Sequence, residues 1–243
     1  MNSNQTDLAA KRVRLDREGF LSLREPRDAL AAYYALYHDP GRTRLMLHVD
    51  VHDRVDGFIA ICQTGFNLFQ PIVVVRAHDE GTAAVLLRDN LLAGRPYYVV
   101  TAPFLEGAVR RMIRLEQEEF NRIYRFDPRR HRPEINVLVQ PARAPDGSPR
   151  FVIRSRGEIA SEAGVNWRSP HFAELFVRTE PWARGRGWGK AVVASCAMTL
   201  IESGVQPLYM VDKANTASRR LAEAVGFVDT GSHEFAGSGV ALG

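Results

Sequence analysis

Apolar and polar positions along the chain fall into one succession of patterns that occurs twice. Residues 28–38 (DALAAYYALYH) place Ala and Leu at helical spacing behind Pro26 and stop at Pro40-Gly41, which predicts a helix. Residues 44–51 alternate Leu45, Leu47, Val49 and Val51 against Met46, His48, Asp50 and His52. With the turn at Asp56-Gly57 and the run 58–63 they predict a hairpin. Residues 72–75 are a wholly apolar strand, 81–92 a helix ended by Gly94, and 97–101 another strand. In 105–113, Leu105, Val109, Met112 and Ile113 share one helical face, and residues 120–126 and 135–140 read as strands on either side of a basic loop, 127–133.

The pattern resumes past a turn-rich segment, 141–149. Residues 151–154 and 158–165 predict a hairpin around Arg156-Gly157, followed by a strand at 172–179, a helix at 189–202, a strand at 208–211, a helix at 216–225 and a short strand at 227–231. Both halves therefore run hairpin, strand, helix, strand, helix, strand, a duplication of architecture without residue identity. We place the division at 140/141, with halves 1–140 and 141–243. The second half reads as lacking a first strand and leading helices, because 141–149 passes almost directly into its hairpin. From third strand to fourth it is about nine residues longer, Glu174 to Pro207 against Ile72 to Pro96, and the surplus falls at 181–189.

That surplus is Pro181-Trp182-Ala183-Arg184-Gly185-Arg186-Gly187-Trp188-Gly189-Lys190, between an apolar strand and an amphipathic helix. A glycine-rich turn entering a helix aims several backbone N–H groups from the positive end of the helix dipole, which suits phosphate. Gly185, Gly187 and Gly189 let the main chain approach oxygen atoms without a Cβ in the way, and Arg184, Arg186 and Lys190 add positive charge. The Walker spacing is absent, since Ala191 follows Lys190, and the dinucleotide pattern GxGxxG fails because Gly189 comes only two positions after Gly187.

Arg184-x-x-Gly187-x-Gly189, after a strand and a proline and before a helix, resembles the [QR]xxGx[GA] signature of the GNAT superfamily of CoA-dependent N-acyltransferases. Downstream, Asn215-x-x-Ser218-x-x-Leu221 with Gly226-Phe227 is similar to that family's Asn-led helix and closing Gly-Phe. The resemblance covers residues 150–231. It implies an α/β GNAT fold, a mixed, mostly antiparallel sheet flanked by helices, in two halves of which only the second keeps the phosphate loop. It further implies a sheet splayed between 172–179 and 208–211, with the pantetheine arm of acetyl-CoA in the gap. Val177, Thr179, Arg184, Gly185, Arg186, Gly187, Trp188, Gly189, Lys190, Asn215 and Ser218 are then the CoA-binding residues. The implied reaction is direct attack of an amine on the thioester, with acetyl-CoA as cosubstrate, no metal and an amine-bearing acceptor. Main-chain N–H near Val177 would hold the developing oxyanion, and the acceptor cleft is expected where the first half supplies the wall that the second lacks. Asn215 also has a plainer role as the N-cap of its helix, and the two roles are compatible.

The chain departs from the family where catalysis is concerned. Many members carry, seven positions after the leading Asn, a tyrosine that protonates the departing thiolate; here that residue is Ala222, leaving water or a displaced tyrosine such as Tyr209. For the base, Glu174 is nearest in sequence, although alternation sets Glu174, Phe176 and Arg178 on one face and Leu175, Val177 and Thr179 on the other. Glu174 therefore also reads as a solvated strand carboxylate, and Glu162 and His171 stand behind it as candidates. The missing acid keeps open a second class of function, a non-catalytic CoA-binding or interaction protein of the same fold.

Composition narrows the picture only at its edges. Over 243 residues, 45% apolar and 25% charged content exclude a disordered or low-complexity chain. A formal charge of +4 tolerates an anionic ligand without demanding nucleic acid. Cys62 and Cys196 form no CxxC, the N-terminal residues lack a secretory core, and no run of 18 apolar residues occurs, so a cytoplasmic, non-membrane monomer or homodimer is expected. His48, Asp50 and His52 share a strand face at chelating spacing, but a polar, solvent-facing strand gives the same letters and no fourth ligand is identifiable. The run 125–132 reads as a solvated loop rather than a nucleic-acid patch, and Tyr33, Tyr34 and Tyr37 as packing of one helix.

Overall fold

The structure, a computed structural model, describes residues 3–65, 67–133 and 136–242. Its helices are α1 (Ser3–Arg17), α2 (Ala29–Ala32), α3 (Glu80–Asn90), α4 (Glu106–Met112), α5 (Trp188–Glu202) and α6 (Thr216–Val225). The strands are β1 (Thr43–Val49), β2 (Val55–Cys62), β3 (Ile72–Ala77), β4 (Pro96–Thr101), β5 (Ile113–Phe126), β6 (Gln140–Arg143), β7 (Pro149–Ser155), β8 (Glu158–Arg168), β9 (Phe172–Thr179), β10 (Gln206–Asp212) and β11 (Phe227–Ala241). The expected order recurs as β1-β2-β3-α3-β4-α4-β5 and β7-β8-β9-α5-β10-α6-β11. The chain forms two compact units, residues 1–121 with 233–243 and residues 122–232.

In the first unit the strand order is β1-β2-β3-β4-β11-β5. β1 and β2 form the predicted antiparallel hairpin, and β3 runs parallel to β4 across the α3 crossover. Every residue of β3 is buried, as its apolar run requires of a parallel strand covered on both faces. The core gathers Val73, Val75, Leu86, Leu87, Tyr97, Val99, Val109 and Phe235 under α3 and α4. Arg76 of β3 and Glu234 of β11 form a buried ion pair at 2.6 Å; burial pushes the Glu234 carboxyl up to about 7 against the pull of Arg76. The strand face singled out for chelation is otherwise engaged. His48 Nδ1 lies 2.6 Å from Asp56, and the Asp50 carboxylate accepts the backbone N–H groups of His52 and Arg54 in the hairpin turn.

In the second unit the order is β11-β5-β10-β9-β8-β7-β6. α5 packs across β7, β8 and β9, and Val192, Val193, Cys196, Ala197 and Leu200 meet Ile153, Ala163, Leu175, Tyr124 and Phe126 in its core. Each unit thus includes strands that both repeats supply. β11, which closes the second repeat, pairs through Phe235–Val240 with β4 of the first, and the end of β5 lies beside β10.

Five elements differ from the sequence reading. α1 was not foreseen, since only Leu8 and Leu15 of its side chains are core and an apolar residue every seven positions makes no stripe. Of the strand expected at 135–140, Ile135 lies outside the described residues, 137–138 form a turn, and the strand begins at Gln140 as β6. β6 pairs antiparallel with β7 through Gln140–Arg143, so the second repeat has a first strand after all, joined to its hairpin by residues 144–148. β5 and β11 run well beyond the spans expected, into segments whose charge or glycine content hides a strand. The helix at 28–38 is a short α-turn continued by a π-turn over Tyr33–Tyr37.

Candidate active site

β9 and β10 begin as a parallel pair, Gln206 opposite Phe172 and Leu208 opposite Glu174, and there the pairing stops. Beyond that point β9 stays held by β8 out to Ser161 opposite Thr179, while β10, whose other neighbour is β5, runs on to Asp212 without a partner on β9, so a gap opens between them. A cleft of about 460 Å³ occupies the end of this gap. Val177 and Thr179 from β9, residues 183–190 apart from Arg186, and Asn215, Ala217, Ser218 and Leu221 from the start of α6 line it, and no carboxylate is among them.

The glycine loop meets the cleft at the N-terminus of α5. Gly187 is the N-cap, in the left-handed region at φ 73°, and Gly185 sits there too at φ 76°. A side chain at either carries a strain of about 1 kcal/mol or more, and no side chain caps the helix. The first-turn N–H groups have no intrahelical carbonyl to bond, so they present donors and the positive dipole end to the cleft. Gly189 is buried where a Cβ would come 3.0 Å from Thr179 Oγ1 and 3.1 Å from Leu221. The absence of that Cβ lets α5, β9 and α6 close on one another. Arg184 donates from Nε to the Thr179 carbonyl at 3.3 Å, which ties the guanidinium to the end of β9. Arg186 lies 5.1 Å over the Trp188 ring and lines a neighbouring cavity rather than this one.

On α6, Asn215 Oδ1 accepts the Ser218 N–H at 3.0 Å, so its capping role is real, and the residue still lines the cleft. Tyr209 does not line it. Its ring is 4% exposed in the core, 5.7 Å from Phe227, but its hydroxyl is 3.0 Å from Ser218 Oγ, which does face the cleft. Burial raises the Tyr209 pKa above its ordinary value, the bond with Ser218 opposes the shift, and the nearby Glu174 charge adds to it. Ala222 is fully buried in the same core, so the position of the usual acid has no opening to solvent.

Glu174 stands at the fork, opposite Trp167 on β8 and Leu208 on β10, and does not line the cleft. Alternation puts it on the sheet face away from Val177 and Thr179. Glu162 bonds to Arg150, with Nε–Oε2 at 3.1 Å, and is occupied by that pair. Both cysteines are buried, with thiols pushed up to about 12, so neither is a ready nucleophile. Ala183, Ala217 and Leu221 were not singled out as site residues. Leu221 had a signal as the last member of the Asn-led pattern, whereas a methyl group at 183 or 217 offers none. Among the described residues, no group of His, Cys, Asp and Glu is placed to hold a metal, and no helix is long and apolar enough to cross a membrane.

Residues 158–236 match the family model of FR47-like proteins. No curated protein sequence matches the chain. Among solved structures, a putative acetyltransferase of the GNAT family from Novosphingobium aromaticivorans superposes with a TM-score of 0.56 at 17% identity, covering 75% of this chain and 88% of that one. A GNAT-family acetyltransferase from Colwellia psychrerythraea gives 0.58 at 11% identity, covering 99% and 98%. A tandem GNAT protein from the clavulanic acid biosynthesis pathway gives 0.57 at 13%, covering 100% of this chain and 96% of the other. The chain therefore has the GNAT fold in tandem arrangement, and the resemblance expected from its two motifs holds.

Proposed function

We propose that this GNAT-fold chain is an N-acetyltransferase that carries an acetyl group from acetyl-CoA to an amine by direct attack. The observation that carries the reading is the coincidence of the opened β9–β10 gap with an uncapped helix N-terminus and a carboxylate-free lining. A thioester-bearing arm needs a slot between strands, and its pyrophosphate needs donors at the slot's outer end.

In this mechanism the N–H groups of residues 188–190, with Arg184 and Lys190, hold the pyrophosphate, and Asn215 and Ser218 contact the pantetheine arm. Main-chain groups near Val177, on the side where β10 no longer reaches, stabilise the oxygen of the tetrahedral intermediate. Glu174, at the fork and outside the cleft lining, takes the proton from the acceptor ammonium through water. The amine nitrogen then bonds to the thioester carbon, its second surplus proton passes to solvent, which restores the Tyr209 proton after the cycle, the C–S bond breaks, and the thiolate leaves. Its proton comes through Ser218 Oγ from Tyr209, whose raised pKa keeps the hydroxyl protonated through neutral pH. CoA is a tolerable leaving group, so this donor assists the step without being indispensable to it.

The test is thiol release from acetyl-CoA across a library of amines, with mass spectrometry of the acetylated product. Amine-dependent release is expected. Tyr209→Phe is expected to lower turnover about tenfold and to abolish the fall in activity at high pH. CoA binding without turnover on any amine would favour the non-catalytic reading that Ala222 motivates.

A further inference from the structure

Among the described residues, two other than glycine have φ in the left-handed region, and they stand at the tips of the β1–β2 and β7–β8 hairpins. Asp53, at φ 59°, is of a residue type that tolerates this region, and its carboxylate accepts from Arg14 at 2.9 Å. Arg156, at φ 56°, is not of such a type. With Gly157 at φ 80° it forms the two-residue turn between Ser155 and Glu158, where asparagine, aspartate or glycine is the favoured first residue and an arginine carries strain. The Arg156 side chain is exposed, and its guanidinium lies 4.9 Å over the ring of Trp182.

Trp182 belongs to the short 3₁₀ turn Pro181–Ala183 that carries the chain from β9 into the glycine loop. The β7–β8 hairpin grips this turn twice. At its base the Glu180 N–H donates to the Ala160 carbonyl of β8 at 2.9 Å, and at its crest Arg156 covers Trp182. The turn closes through the Ala183 N–H, which donates to the Glu180 carbonyl at 2.9 Å. Ala183, fully buried, and Arg184 after it both line the CoA cleft. A Cβ at Gly185 or Gly187 would have nothing within 4 Å, so on that side the stretch has no neighbours and its course is set from its ends. Downstream, Gly189 lets α5 close on β9 and α6; upstream, the anchor is the turn that Ala160 and Arg156 hold.

We infer that Arg156 is a positioning residue of the cleft: through the Trp182 ring it fixes the turn that delivers Ala183 and Arg184, and so sets the Arg184 guanidinium for the pyrophosphate. The inference rests on the CoA reading of that cleft. Neither Arg156 nor Trp182 lines the cleft, so the pair acts through the turn and not by touching the ligand. A cation over an aromatic face at an exposed position is a modest contact, and here it is set against the strain of the hairpin turn. The pair therefore orders the loop while adding little net stability, and the two effects can be separated by experiment.

Calorimetric titration of the full chain with CoA, beside thermal unfolding, tests this in the wild type, Arg156→Gly, Arg156→Lys, Trp182→Leu and the double variant Arg156→Gly with Trp182→Leu. Arg156→Gly should weaken CoA about two- to fivefold, the size of an exposed cation–π contact, while its thermal midpoint equals or exceeds that of the wild type because the turn relaxes. Trp182→Leu, which leaves the arginine charge in place, should weaken CoA by a similar factor and Arg156→Lys by less. The double variant should bind no more weakly than either single change, since both remove one interaction. Wild-type affinity in Arg156→Gly would overturn the assignment and leave the CoA cleft standing. Additive losses in the double variant would do the same, because Arg156 would then act on the ligand by its charge alone. So would a lowered midpoint accompanying the weaker binding of Arg156→Gly, which would make the residue merely structural. A wild type that binds no CoA would overturn the CoA reading, and this assignment with it.

Discussion

The β3-α3-β4 and β9-α5-β10 crossovers share a topology and differ in what they leave unsatisfied. In the first, the strands pair from Ile72/Tyr98 to Val75/Thr101, the last residue of β4, and the Thr101 hydroxyl donates to the Val75 carbonyl at 2.9 Å. The N-terminus of α3 is closed by its own sequence. Asp79 accepts the Thr82 N–H at 2.9 Å, and Glu80 in the first turn bonds to Arg111 of α4. In the second crossover the pairing stops at Glu174 and Leu208, and the N-cap is a glycine with no side chain to offer. One parallel unit thus closes its dipole end with its own carboxylates, while the other withholds them and parts its strands, which is what the proposed ligand site requires.

Separating the repeats is the harshest test of this comparison. Residues 141–243 contain the loop, both GNAT motifs and the whole cleft lining. They omit β5, whose Tyr124 and Phe126 are each 1% exposed in the core that also holds Tyr209 and Phe227. Loss of either ring is worth about 3–5 kcal/mol, comparable with the total stability of many domains. The isolated segment is expected to lack a cooperative thermal transition and to be inactive. A folded, active 141–243 would show that the repeats are independent.

Next in size is the loop itself. The full chain should take up one acetyl-CoA, since Asp79 and Glu80 would repel a pyrophosphate from α3. Gly187→Glu adds charge and strain at the N-cap, but a Cβ there meets no atom within 4 Å, so the fold should survive. Acetyl-CoA affinity should fall about 100-fold or more, while the thermal midpoint drops by only a few degrees for about 1–2 kcal/mol. Calorimetry beside circular dichroism reads both. Two equivalents per chain would break the contrast between the crossovers, and unchanged affinity would remove the loop from the site.

What the sequence disclosed follows the same division between strong local signals and tertiary ones. The apolar run Ile72–Val75 and the alternation in the hairpins fixed the order of elements, because burial on one face or both leaves a periodic trace. Glycines at 185, 187 and 189 beside Arg184 made the loop legible, because positive φ and close approach leave few alternatives to glycine. The exchange of β5 and β11 left no such trace. The polar stretch Glu116–Glu119 and the glycines at 237 and 239 look like turns, and only pairing with neighbours makes them strands. β6, with a proline in four residues, is an edge strand whose existence depends on β7. The proposed acid and base were hardest to read. Tyr209 reaches the cleft only through Ser218, a contact between β10 and α6 that no spacing rule encodes.

The finest test compares two N-caps that make the same hydrogen bond. Asp79 accepts from Thr82 N–H and Asn215 from Ser218 N–H, at 2.9 and 3.0 Å, each three residues into its helix. Replacement by alanine should cost about 1 kcal/mol in either case, a few degrees in thermal midpoint. The two should part company in pH dependence and in kinetics. The Thr82 N–H holds the Asp79 carboxyl below its ordinary value, so its stabilisation is complete above the unfolded pKa and is lost as pH falls through the lowered one. The amide of Asn215 does not titrate, so the stability difference between Asn215→Ala and wild type should stay level over the same acid range. At neutral pH, Asp79→Ala should leave the KM for acetyl-CoA unchanged, whereas Asn215→Ala should raise it several-fold, because only Asn215 lines the cleft. Asn215→Ser, which keeps a cap but shortens the side chain, separates the two roles: a raised KM at near-normal stability assigns Asn215 to the pantetheine arm. If both parameters recover in Asn215→Ser, its work is capping alone, and the two caps differ only in the charge that one of them carries.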